Sequence, residues 1–147
     1  MRYFKEQELC CKCCGQLPPF ARENIEALVE DVLDPLRERY GKPIVVNSGY
    51  RCAKHNKEVG GVANSQHLRG EAADIRPTDS KDLKLLRQLI MESRKLTSST
   101  SDATQDSSNK LGSPSLLPKF DQLIIYQTFI HVSWKRSGNN RRTVLWH

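Results

Sequence analysis

The segment Ser65-Gln66-His67-Leu68-Arg69-Gly70-Glu71-Ala72-Ala73-Asp74 holds a histidine and a carboxylate seven residues apart. Gly70 stands between them and gives the chain the conformational freedom to turn back on itself. Such a turn lets a strand-borne Asp74 face His67. Ala72 and Ala73 are small and permit close packing around a ligand atom. A second segment, Phe129-Ile130-His131-Val132-Ser133-Trp134, carries His131 in an alternating pattern, on one face with Phe129 and Ser133. Two imidazoles and one carboxylate form a three-ligand zinc set with one position left open. Zinc in such a set lowers the pKa of water to about 7 and polarises a carbonyl. Taken alone, these residue types also fit hydrogen-bonded structural roles, and a lone strand histidine usually has one.

The elements that must position these residues are written in the hydrophobic pattern. Ile25, Leu28, Val29, Val32, Leu33 and Leu36 recur at spacings of three and four, which predicts a helix. Pro35 lies inside that pattern and predicts a kink or break near Asp34. Gly41 and Pro43 end the element. Residues 1–20 read as an irregular lead-in that stops at Pro18-Pro19. Ile44-Val45-Val46 reads as a strand. Residues 47–71, rich in Asn, Ser and Gly, read as a long functional loop with a helical turn near His55. Ala72 to Arg76 forms a second expected strand, stopped by Pro77. Leu83, Leu85, Leu86, Leu89 and Ile90 predict a second helix starting near Ser80, capped by Asp79 or Ser80. Gln122 to Tyr126 and Phe129 to Trp134 read as strands joined tightly at Gln127-Thr128. Arg142 to Trp146 adds a last edge strand. The order predicts a single α+β domain over residues 1–147, with a mostly antiparallel sheet and helices packed on one side. The serine-rich stretch 97–115 is too polar to offset its ordering entropy and reads as a mobile insertion.

Bulk properties narrow the function. A chain of 147 residues with 37% hydrophobic and 27% charged residues suits one globular domain. The net charge of +6 and pI of about 9.2 suit an anionic partner, either nucleic acid or a cell-wall polymer. Only Arg141 and Arg142, with Lys135 and Arg136 nearby, form a basic cluster, which reads as a solvated face and argues against nucleic acid. No apolar run approaches the roughly 20 residues of a membrane span, so no membrane insertion is expected. Met1 to Glu6 lacks the apolar core of a signal peptide, which predicts cytoplasmic synthesis and release by another protein. A monomer is expected. Five cysteines, an odd count, argue against a disulfide scaffold. Cys10 and Cys13, and Cys11 and Cys14, have metal-knuckle spacing, but a second pair is missing and Cys52 is the only other thiol. The adopted reading is reduced thiols, with a structural zinc site as the alternative.

Ser-x-His-x-x-Gly-x-Ala-x-Asp followed by a strand His-Val-Ser resembles the D-Ala-D-Ala carboxypeptidase family, a metallopeptidase group that includes VanX-type dipeptidases and many phage endolysins. Asn47-Ser48-Gly49-Tyr50-Arg51 resembles its Ser-Gly-Tyr-Arg segment, and Val59-Gly60-Gly61 and Asn64-Ser65 lead into the histidine motif as they do in that family. The resemblance runs from about Tyr3 to Trp146. It implies that His67, Asp74 and His131 bind Zn2+, that Arg51 stabilises an oxyanion, and that Ser65 lies near the substrate's terminal groups. It implies hydrolysis of an amide bond in peptidoglycan stem peptides, by a carboxypeptidase or L-Ala-D-Glu endopeptidase. The chain departs from the family where a carboxylate is expected just before the last zinc histidine, since Thr128 and Phe129 stand there. Asp121, Glu71 and Tyr126 are the candidates to replace that general base. A zinc-containing peptidoglycan-binding module with weak or no catalysis is the alternative.

Overall fold

Strands β1 (Ile44–Ser48), β2 (Ala72–Pro77), β3 (Gln122–Ile125), β4 (Ile130–Ser133) and β5 (Thr143–Trp146) form one sheet in the order β1-β2-β4-β3-β5. Three of the four pairings are antiparallel, and β3 with β5 is parallel. The computed structural model describes residues 1–98, 120–136, 138 and 140–147. Apart from Thr97 and Ser98, which end a helix, the serine-rich stretch expected to be mobile lies outside these residues.

The sheet has two chemically distinct faces because side chains alternate along each strand. Val46, Ala73, Ile75, Leu123, Ile125, Ile130 and Val132 all point to one face and join the core. Helices α2 (Pro19–Leu28), α3 (Asp34–Tyr40) and α5 (Leu83–Ser98) supply the other half of that core through Ile25, Leu28, Leu36, Leu86 and Ile90, all fully buried. Each such side chain contributes about 1.5–3 kcal/mol relative to exposure. Asp74 and His131 belong to the opposite face. The expected α+β architecture is therefore the observed one.

Three local readings change. The N-terminal lead-in contains a helical turn, α1 (Glu6–Leu9), whose Leu9 is fully buried. Its start is closed by Lys5 N–H donating to the Glu8 carboxylate at 3.0 Å. The turn near His55 is a full helix, α4 (Ala53–Glu58). The α-helix is interrupted just before Asp34, as Pro35 predicts, but the chain stays helical through the interruption. A π-helical turn at Val29–Leu33 joins α2 to α3, and Asp34 N–H donates to the Val29 carbonyl. The wider turn absorbs the proline, which then sits at the second position of α3, where its missing N–H costs little. The expected cap at Asp79 accepts from Lys81 N–H at 3.0 Å and opens a short 3-10 turn, Ser80–Asp82, ahead of α5. The hairpin at Gln127-Thr128 is closed by Tyr126 N–H to the Phe129 carbonyl at 3.0 Å.

Gly70 ends the 3-10 turn Gln66–Arg69 with φ +77°. A Cβ there would stand 2.5 Å from the Ala21 carbonyl oxygen on α2. Both the left-handed backbone and the close approach demand glycine. Gly70→Ala is expected to lower stability by about 1–3 kcal/mol in urea denaturation, since both the strain and the clash persist in the folded state.

Candidate metal centre

Asp74 is the point where three segments meet. It stands in β2 directly opposite His131 of β4, so the two side chains share a face. His67 arrives from the 3-10 turn. Ser65 fixes that turn by accepting His67 N–H at 3.2 Å, and Gly70 reverses the chain into β2. Asp74 Oδ1 then lies 3.2 Å from His67 Nε2 and 3.0 Å from His131 Nδ1. One ligand atom from each of the three residues falls within 4.8 Å of the others. Imidazole nitrogens and a carboxylate oxygen at this spacing have common reach of a single ion.

Arg51 completes the group through a β-bulge. The register of β1 against β2 slips between Val46 and Ser48, so Ser48 rather than Asn47 sits opposite Asp74. The extra residue turns Ser48 to the Asp74 face, where regular pairing would have sent it to the core. Arg51 Nε donates to Ser48 Oγ, Nη1 to Asn56 Oδ1 and Nη2 to Asp74 Oδ2, each at 3.1 Å. Arg51 N–H also donates to the His67 carbonyl at 3.0 Å.

The donor chemistry fits a divalent cation. His67 Nδ1 lies 2.7 Å from the Gly49 carbonyl, which only accepts, so Nδ1 carries the ring proton. That leaves a lone pair on Nε2 facing the Asp74 carboxylate. His67 is 2% exposed, and its burial holds the imidazole pKa below the ordinary value, favouring the neutral ligand form. Burial alone would raise the pKa of Asp74. The hydrogen bond from His131 leads the effects that outweigh that and hold the carboxyl well below the usual range. An ionised carboxylate facing a neutral imidazole lone pair is an electron-rich hole that a cation satisfies. The Gly49 contact also fixes tautomer and ring orientation, the arrangement typical of metal-bound histidines. The ion that these residues fit is zinc.

The three residues and Arg51 line a cleft of about 700 Å³. Ser65 borders it too, and its hydroxyl is engaged as the turn cap. Asp74 is the only carboxylate among the described residues lining the cleft, whereas Arg69, Lys135 and Arg141 add positive charge. Of the three candidate bases, only Tyr126 borders it. Glu71 is paired to Arg69 at 2.9 Å. Asp121 is fully buried, where it accepts from Arg141 N–H at 2.6 Å, Arg141 Nη2 at 2.8 Å and Gln66 Nε2 at 3.1 Å. Burial would raise its pKa, but the Arg141 bonds prevail and hold it at about 2. It is an anchor that holds Gln66, the neighbour of His67. The sequence reading passed over Lys135 as surface charge and assigned no role to His147, whose ring stacks on Tyr126 at 4.7 Å at the cleft edge. Alternation in β3 would have placed Gln122 and Ile124 on this face, but no local signal marks Lys135 or His147. His55, read as a loop hydrogen-bonder, lies on α4, where its Nδ1 makes no hydrogen bond among the described residues and stands 3.9 Å from Glu58 Oε1.

The sequence profile of the peptidase M15 family matches residues 2–107. The chain belongs to the peptidase M15 family. It is also 48% identical over 44 residues to the zinc D-Ala-D-Ala carboxypeptidase of Streptomyces albus G. That stretch is 29% of this chain and spans only 17% of the relative's length. The M15 match contains His67, Asp74 and Arg51 but ends before His131, so the sheet pairing supplies the third member of the cluster.

The Asp121 anchor has a pH signature. Its folded pKa is depressed from 3.8 to about 2, so the stability it adds is present above 3.8 and is lost as pH falls through about 2. Asp121→Asn is expected to lower the urea midpoint at neutral pH, and its gap from the parent chain should close between about pH 4 and 2.

Proposed function

We propose that this M15 chain hydrolyses an amide bond in peptidoglycan stem peptides, with zinc held by His67, Asp74 and His131. The observation that carries the reading is the convergence of these three donors, with Arg51, at the wall of one cleft. Bound zinc would supply Lewis acidity toward the scissile carbonyl and toward water. The chain's own residues do the rest. Three of the five N–H groups of Arg51 are tied to Ser48, Asn56 and Asp74. The remaining donors are held rigidly at the cleft, the preorganisation that stabilises a developing oxyanion. Asp74 thus orients both imidazoles and the guanidinium at once.

The charge of Lys135 on the cleft lining favours a peptide that ends in a carboxylate, as in removal of a terminal D-Ala. Lys135 has no ion-pair partner among the described residues and borders the cleft, so it is the group assigned to that carboxylate. Ser65 assists at the same end through the hydroxyl proton its cap does not use. Proton transfer to the leaving amine falls to Tyr126, which borders the cleft where the other two candidates do not. A binding module without catalysis is the second reading, favoured by the lack of a carboxylate other than Asp74 among the described cleft residues.

The decisive experiment is mass spectrometry of products from stem peptides ending in D-Ala-D-Ala, using zinc-loaded and chelated chain. Zinc-dependent loss of the terminal residue supports the proposal, and zinc binding without cleavage favours the binding module. Arg51→Lys is expected to lower kcat about 10²-fold with little change in KM, because charge remains but the rigid fork is lost. Lys135→Ala is expected to raise KM for peptides with a free C-terminal carboxylate and to leave amidated peptides unaffected, as read from steady-state kinetics.

A further inference from the structure

Four cysteines outside the cleft also converge. Cys11, Cys13 and Cys14 follow α1, and Cys52 stands immediately after Arg51 and caps α4. Their four Sγ atoms all lie within 4.8 Å of one another. Cys52 Sγ is 3.6 Å from Cys11 Sγ and 3.7 Å from Cys13 Sγ. A disulfide would bring a pair to about 2.05 Å. Four thiolates around one zinc ion, each at about 2.3 Å, stand about 3.8 Å apart along the edges of the tetrahedron. The two separations from Cys52 match that edge, the remaining ones lie within 4.8 Å, and all five cysteines are free.

The surrounding backbone is arranged for thiolates. Cys52 N–H donates to Cys11 Sγ at 3.5 Å, and His55 N–H donates to Cys52 Sγ at 3.4 Å. Gly15 N–H donates to the Cys11 carbonyl at 2.8 Å and folds Cys13 and Cys14 back over Cys11. One ring nitrogen of His55 and one carboxylate oxygen of Glu58 lie within 4.8 Å of Cys13 Sγ. Cys10 takes no part, since its thiol donates to the Glu6 carbonyl at 3.3 Å.

We propose that Cys11, Cys13, Cys14 and Cys52 bind a structural zinc ion, a second metal centre distinct from the His67, Asp74 and His131 cluster. Four protein ligands fill a tetrahedral zinc and leave no position for substrate. Binding exchanges the S–H bonds for Zn–S bonds and releases the thiol protons to solvent, with no redox change. Cys13 and Cys14 are exposed, so the ion has an entry path. The second cysteine pair that the sequence lacks as a motif is supplied in space by Cys13 and Cys52.

The site has a structural consequence for the cleft. It ties the segment after α1 to the residue next to Arg51. The same segments already meet where Tyr50 N–H donates to the Leu9 carbonyl at 2.9 Å. At Gly49 a Cβ would stand 2.7 Å from the Leu9 carbonyl oxygen, so the two backbones are in direct contact. Gly49 is the residue whose carbonyl orients His67. The thiolate site therefore clamps the segment that positions both His67 and Arg51.

The test uses the full chain, purified under reducing conditions, and does not depend on peptidase activity. Elemental analysis is expected to find two zinc ions in the parent chain and one in His67→Ala/His131→Ala. Cobalt loaded into that variant should show sulfur-to-cobalt charge-transfer absorption in the near ultraviolet. Adding Cys13→Ser and Cys14→Ser should abolish the band. In the parent chain, four of the five thiols should resist a thiol-specific reagent until a chelator is added. A folded His67→Ala/His131→Ala chain that binds cobalt without that band, or binds no metal, overturns the proposal. Equal thiol reactivity in the parent chain with and without chelator overturns it as well. Failure of the peptidase reading would leave both readouts unchanged.

Discussion

The Asp74 carboxylate is the constraint on which the arrangement of this chain depends. One oxygen faces two imidazoles and the other accepts from a guanidinium. A buried carboxylate with so many partners stays ionised, because each hydrogen bond and each positive neighbour favours the charged form. Removing it would leave the partly buried Arg51 beside no counter-charge, and unpaired charges shielded from water are costly. The same group that suits a metal ligand is thus also the electrostatic keystone of the cleft wall.

Sheet geometry delivers the partners to that carboxylate. The pairing of β2 with β4 sets His131 opposite Asp74, and the bulge in β1 adds Ser48 on the same face. Because side chains alternate, the residues between these positions point into the core and weld the strands to the helices. Core packing and site geometry are two readings of one register. A one-residue slip would bury His131 and expose Val132 in its place.

Support extends outward in shells. Asp121 and Arg141 lock Gln66, Ser65 caps the His67 turn, and the Gly49 carbonyl orients the imidazole. The proposed thiolate centre lies one residue beyond Arg51 and holds the segment that contains Gly49. Placing the moving parts of a site on a clamped loop keeps donor positions within the narrow tolerance that metal binding and oxyanion stabilisation require.

Much of this was legible in the linear chain. Local periodicity marked the helices, the strands and the tight hairpin, because hydrophobic spacing reports which face is buried without reference to partners. The His67 to Asp74 segment was legible too, since its turn is made within ten residues. Helix α1 was missed because one turn carries too little periodicity, and Pro35 marked the interruption near Asp34 but not the π-turn that carries the chain through it. Sequence also carried the donor types, but whether a given carboxylate serves the cleft or a distant arginine depends on strand pairing. Hence Asp121 was left open by the sequence until its long-range ion pair with Arg141 decided against it, whereas Glu71 is taken by its near neighbour Arg69. Residue types and short-range turns were determined by the sequence alone. The convergence of His131 with Asp74, the bulge that sets Ser48 opposite Asp74, and the meeting of Cys52 with Cys11 were decided only by tertiary structure, because each joins residues with no local means of finding one another.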